Sequence, residues 1–141
     1  MTKYFGYSFD SELESKDDAA TVNWGNDWQM PSRAQFEELI NGNYTTIIMT
    51  TQNEIKGMLI TSKSNNNSIF LPAAGSKSVD EKVHEEVGSI CYWSRSISTD
   101  AFYRACLLHD YRTAYSPNVL WGISEFGSRY SGLSVLPVRK Q

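Results

Sequence analysis

A chain of 141 residues is the size of one hydrophobic core, and its 40% hydrophobic and 13% aromatic content excludes the disordered class. A net charge of −3 without any cluster of Lys and Arg excludes the electrostatic footprint of a nucleic-acid binder. No run of about 18 apolar residues occurs, and residues 1–7 reach an acidic stretch before any signal-like apolar run, so neither membrane insertion nor a signal peptide in this chain is expected.

In chain order, residues 3–9 alternate aromatic and small side chains (Tyr4, Phe5, Tyr7, Phe9) and predict a short strand. Ser15 before Lys16, Asp17 and Asp18, with Gly25 beyond, predicts a short capped helix through Asn23, followed by Trp24 and Trp28 as packing anchors. Ser32 and Gln35 form an S-x-x-Q capping box for a second helix that Gly42 stops, and its Phe36, Leu39 and Ile40 share one face. From Tyr44 the texture turns to β: residues 45–50, 57–61 and 68–72 read as strands, with Asn65, Asn66 and Asn67 marking a turn. Residues 77–86 are polar and read as a long exposed loop, residues 95–126 as irregular, and Leu133, Val135 and Pro137 as a closing edge strand.

Few residues suit chemistry. Cys91 and Cys106 allow one disulfide but lack metal-type spacing, and only His84 and His109 are present, which limits zinc sites and histidine triads. His84 with Glu81, Glu85 and Glu86 reads as a solvated charged loop, so no metal and no cofactor are expected.

The ordered blocks Asp18-Ala19-Ala20, Asn23-Trp24-Gly25, Trp28-Gln29-Met30-Pro31-Ser32, Phe36-Glu37-Glu38-Leu39-Ile40, Ser68-Ile69-Phe70-Leu71-Pro72-Ala73-Ala74-Gly75, Tyr92-Trp93-Ser94, Arg129-Tyr130 and Pro137-Val138-Arg139 carry a resemblance over residues 17–139. The chain resembles the Fibrobacter-succinogenes major paralogous domain, a C-type-lectin-like group of gut bacteria and their phages. The resemblance implies an α+β fold of the C-type-lectin-like kind, with two helices packed on small twisted antiparallel sheets and long irregular loops. Residues 1–141 then form a single domain, and residues 92–131 its variable ligand-binding segment.

Some members of that group are the variable proteins of diversity-generating retroelements, in which copying at template adenines rewrites codons, chiefly Asn codons, in the C-terminal segment. Eight asparagines (Asn23, Asn26, Asn41, Asn43, Asn53, Asn65, Asn66, Asn67) precede this segment, whereas between Cys91 and Gln141 only Asn118 occurs. In their place stand Arg95, Ile97, Phe102, Tyr103, Arg104, Cys106, Leu107, His109, Tyr111, Ile123, Phe126 and Gly127, most of them reachable from an Asn codon; Trp121 and Glu125 are not. Leu136 departs from the basic residue usual in the group and touches only the scaffold.

Aromatic and Arg side chains give large contact area at low entropy cost. The expected ligand-binding residues are Arg95, Ile97, Phe102, Tyr103, Arg104, Cys106, Leu107, His109, Tyr111, Trp121, Ile123, Glu125, Phe126 and Ser128, with Phe102, Trp121 and Phe126 open to a plain core reading; Tyr92, Trp93, Trp24 and Trp28 read as packing residues. The partner is then a protein or glycan on a cell surface, met from a phage particle or bacterial surface as part of a larger assembly. No catalytic residue is expected. The alternatives are a non-variable adhesion or glycan-binding module and an oxidase of the formylglycine-generating type, which shares the fold and works through a cysteine pair. Trp24-Gly25-Asn26-Asp27-Trp28 resembles a lectin calcium signature but is misplaced and lacks an accompanying Glu-Pro-Asn triplet, so no calcium-dependent sugar site is expected.

Overall fold

The computed structural model describes residues 11–77, 83–84, 89–98, 104–113 and 116–141, with backbone alone at 83–84, 111–113, 116–120 and 125–126. The strand expected at residues 3–9, the expected binding residues Phe102 and Tyr103, and Glu81, Glu85 and Glu86 lie outside the described residues.

The first helix, α1 (Ala19–Trp24), is capped by Asp18 and not by Ser15. Asp18 is fully buried, and its carboxylate accepts the N–H groups of Ala20 at 2.9 Å, Thr21 at 3.0 Å and, twelve residues on, Met30 at 3.0 Å. A cap that also holds Met30, twelve residues on, outcompetes one that would serve the helix alone. Gly25 closes α1 at φ 94°, a region glycine enters without a Cβ penalty. Trp24 is a correction: it is 53% exposed, while Trp28 is half-buried in β1 (Trp28–Gln29). The second helix, α2 (Arg33–Leu39), starts with the full Ser32–Gln35 capping box and buries Phe36. It ends at Leu39, three residues before Gly42.

β2 (Thr45–Gln52), β3 (Ile55–Ser62) and β4 (Ser68–Pro72) form an antiparallel sheet in the order β2-β3-β4. Ile47 pairs with Ile60, and Met49 with Met58, whose neighbour on β4 is Leu71. These residues share the core face, because residues opposed across a ladder point to the same side. The expected loop at residues 77–86 contains a short ladder between β5 (Ser76–Lys77) and β6 (Val83–His84).

The largest correction lies after Trp93. Residues expected to be irregular form a second antiparallel sheet, β7-β8-β9, from β7 (Cys91–Ile97), β8 (Arg104–Thr113) and β9 (Ser116–Ser128). Register shifts between Trp93 and Ile97, between Ala105 and Leu107, and between Tyr111 and Thr113 break the alternation that would have signalled strands. The closing strand is β10 (Val138–Arg139), paired with β1, and not the stretch from Leu133; Ser134 instead bridges Tyr92.

One core joins these parts. Phe36 of α2, Met58, Ile60 and Leu71 of the first sheet and Tyr92 and Leu108 of the second form a buried cluster, against which Trp121, Ile123 and Leu136 pack. The class is therefore mixed α+β with small antiparallel sheets and two helices. Among the described residues, no helix is long and apolar enough to cross a membrane.

Candidate functional site

The β7-β8-β9 sheet has two unlike faces. Tyr92 opposes Leu108, which opposes Ile123, and all three turn to the core. The alternate residues Cys91, His109 and Gly122 form one row on the opposite face, and Trp93 and Leu107 form the next. Cys91, Trp93, His109 and Gly122 are each half-buried, while Leu107 and Ser124 on the same face are buried, so solvent reaches this outer face only in part.

Several expected binding residues serve the scaffold. Ile97 is 3% exposed, Cys106 2% and Leu107 8%, so none of them offers a side chain to a partner. The cause is the same for each: they sit in strands β7 and β8 of the sheet, not in open loops. Trp121 and Ile123 pack against the core from β9 and are half-buried, as the core reading left open for Trp121 has it. Arg95 is drawn inward as well. Its guanidinium donates to Gln29 Oε1 and, at 3.4 Å, to the Leu13 carbonyl, while its Nε lies 3.1 Å from the Glu12 carboxylate. With the main-chain bonds Leu13 N–H to Arg95 C=O and Ile97 N–H to Ser11 C=O, both 2.9 Å, this binds residues 11–13 along β7.

The remaining expected residues fall into three groups. His109 lies on the outer face; Arg104 and Ser128 oppose each other at the end of the β8-β9 ladder, where Arg129 Nε donates to the Arg104 carbonyl at 2.7 Å. Tyr111, Glu125 and Phe126 belong to strands of the same hairpin. Gly127 is fixed by packing: a Cβ there would stand 2.3 Å from Leu107 Cδ2 and 2.7 Å from Trp93 Cζ3. Sequence reasoning assigned Trp93 to the scaffold, yet it shares the outer face, which only the pairing register reveals.

The two sheets are tied by a buried polar contact. Tyr92, 5% exposed, donates its hydroxyl to the Pro72 carbonyl at 2.9 Å. Burial pushes the Tyr92 hydroxyl pKa above its ordinary value, and a hydrogen bond with Ser134 partly opposes that. Asp110, also buried, accepts the Ile90 N–H at 2.9 Å and so pins the segment entering β7.

Both cysteines are thiols. Cys91 opposes His109, and His109 stands three residues from Cys106 along β8. At the rise of an extended strand that is about 10 Å, beyond the ~7 Å Cα separation a disulfide spans.

Sequence reasoning missed one further concavity. A groove of about 580 Å³ runs between the end of α2 and the β2-β3 sheet, where Tyr44, 59% exposed, stands beside Gln35, Glu38, Asn43 and Lys63. An aromatic residue in the polar turn after Asn41 is the signal by which the sequence could have shown it. Compared with protein families, with curated proteins and with solved structures, the chain finds no match.

Proposed function

We propose that this chain is a non-enzymatic ligand-binding protein of the C-type-lectin-like variable kind, diversified by a retroelement and displayed on a phage particle or bacterial surface. One observation carries the reading: the β7-β8-β9 sheet is fastened to the core through Tyr92, Leu108 and Ile123 while half-buried residues of its other face, Cys91, Trp93, His109 and Gly122, meet solvent in part. Such a sheet accepts exchange of outer side chains without moving its backbone, which recognition of changing partners requires. The binding residues are then His109 and Trp93 on the face, Arg104 and Ser128 at its end, and Phe102, Tyr103, Tyr111, Glu125 and Phe126 of the same segment. The separation of Cys91 from Cys106 speaks against the cysteine-pair oxidase.

The flanking DNA tests this directly. A near-copy of the segment encoding residues 92–131, differing only at adenines and lying beside a reverse transcriptase gene, is the expected outcome. Flanks without such a copy would overturn the retroelement reading. The Tyr44 groove favours a second reading, an invariant glycan-binding adhesion module, because an exposed ring flanked by amide and carboxylate groups fits a sugar's apolar face and hydroxyls. On that reading Tyr44→Ala abolishes binding to a glycan array, and on the first it changes nothing.

A further inference from the structure

β2 lies at the edge of its sheet, paired with β3 on one side and with no described strand on the other. Natural edge strands are usually short or carry a charge, a proline or a bulge that blocks pairing with another chain. The opposite edge, β4, has five residues and ends in Pro72. β2 has eight, Thr45-Thr46-Ile47-Ile48-Met49-Thr50-Thr51-Gln52, with no charge, proline or glycine, in unbroken register with β3. Its composition is that of a strand that adds to a sheet.

The direction of its main-chain groups follows from the neighbouring bonds. Lys63 N–H donates to the Tyr44 carbonyl at 2.9 Å, so residue 44 turns its carbonyl to β3. Ser62 N–H and the Lys56 carbonyl, opposite Thr45 and Thr51, instead bond toward β4, to the Asn67 carbonyl and the Ala73 N–H, each at 2.9 Å. By the alternation of an antiparallel ladder, even-numbered residues of β2 bond to β3, while Ile47, Met49 and Thr51 point their N–H and C=O outward. Thr45 keeps an outward carbonyl only, since its N–H donates to the Asn41 carbonyl at 3.0 Å.

We infer that this edge is a homodimer seam, with β2 of a second copy pairing antiparallel about a two-fold axis at Ile48. An isologous seam must oppose residues of like face, so their numbers must sum to an even value. Centred on Ile48, each pair matches: Ile48 meets Ile48, Ile47 meets Met49, Thr46 meets Thr50 and Thr45 meets Thr51. The Ile47 and Met49 amides and carbonyls bond reciprocally, Thr51 N–H reaches the Thr45 carbonyl, and the Thr pairs add cross-strand hydroxyl contacts. Ile48, 52% exposed, loses its water at the centre of the seam, where it continues an apolar row through Leu59 and Phe70. The charge-free strand offers no repulsion against a copy of itself. Joining the two sheets makes one six-stranded sheet, with the β7-β8-β9 faces left out of the seam. This inference does not depend on the reading of those faces.

Sedimentation velocity over a concentration series should show a reversible monomer–dimer equilibrium for the native chain. The double substitution Thr46→Lys with Thr50→Lys sets like charges opposite each other and should weaken the dimer about tenfold. Thr46→Lys with Thr50→Glu sets opposite charges in the same two places and should restore it. Ile48→Cys should oxidise to a covalent dimer, since a non-hydrogen-bonded pair brings the two Cα atoms within disulfide reach, whereas Thr46→Cys should not. A native chain that stays monomeric throughout, or Thr46→Cys cross-linking as readily as Ile48→Cys, overturns the proposal.

Discussion

At the scale of single residues, two buried polar groups hold more of the fold than their size suggests. The Asp18 carboxylate accepts the Ala20, Thr21 and Met30 N–H groups, and a buried donor stranded from a charged acceptor is costly. Asp18→Ala should lower the unfolding free energy by about 3 kcal/mol in urea denaturation. Local spacing points to Ser15 for this cap; the bond from Met30 to Asp18 is a tertiary fact that spacing cannot carry. Tyr92 makes the second case. Its pKa is raised by burial, so its neutral form is the stabilising one. That contribution is fully present below the unfolded value of about 10 and is lost as pH rises through the higher folded value. Unfolding free energy should therefore fall on the alkaline limb, and Tyr92→Phe should flatten that limb while costing about 1 kcal/mol at neutral pH through the orphaned Pro72 carbonyl.

Whole elements were legible where their signals are local. The Ser32–Gln35 box and the three strands of the first sheet follow from residues within a few positions of one another, and they appear as the sequence indicates. β8 and β9 were not legible, because register shifts interrupt their alternation and both their faces carry mixed residues. Arg95 looked like an exposed anchor for a similar reason: its partners Glu12, Leu13 and Gln29 are remote in sequence. The β2-β3 hairpin offers an element-level test. Its two turn residues, Asn53 at φ 48° and Glu54 at φ 67°, both occupy the left-handed region, which a two-residue turn of this kind demands. Asn tolerates that region and Glu does so poorly. Glu54→Gly should raise stability by about 0.5–1 kcal/mol, read as a higher midpoint in thermal unfolding, with the sheet register unchanged.

For the molecule as a whole, the core lies between two sheets, and only one face of each turns toward it. This asymmetry divides the expected binding segment into residues that build and residues that display, a division the sequence blurred because Trp121 and His109 look equally suited to a binding surface. Neighbouring positions on β8 should therefore respond oppositely to substitution. Leu108 has no exposed surface and touches the shared cluster, so Leu108→Ala should cost about 2–5 kcal/mol. His109, one residue on and half-buried on the other face, should tolerate His109→Asn with a change below about 1 kcal/mol. Chemical denaturation of the two variants checks this. Equal losses at both positions would mean that the outer face is also structural, and binding would then have to be sought at the hairpin ends or in the Tyr44 groove.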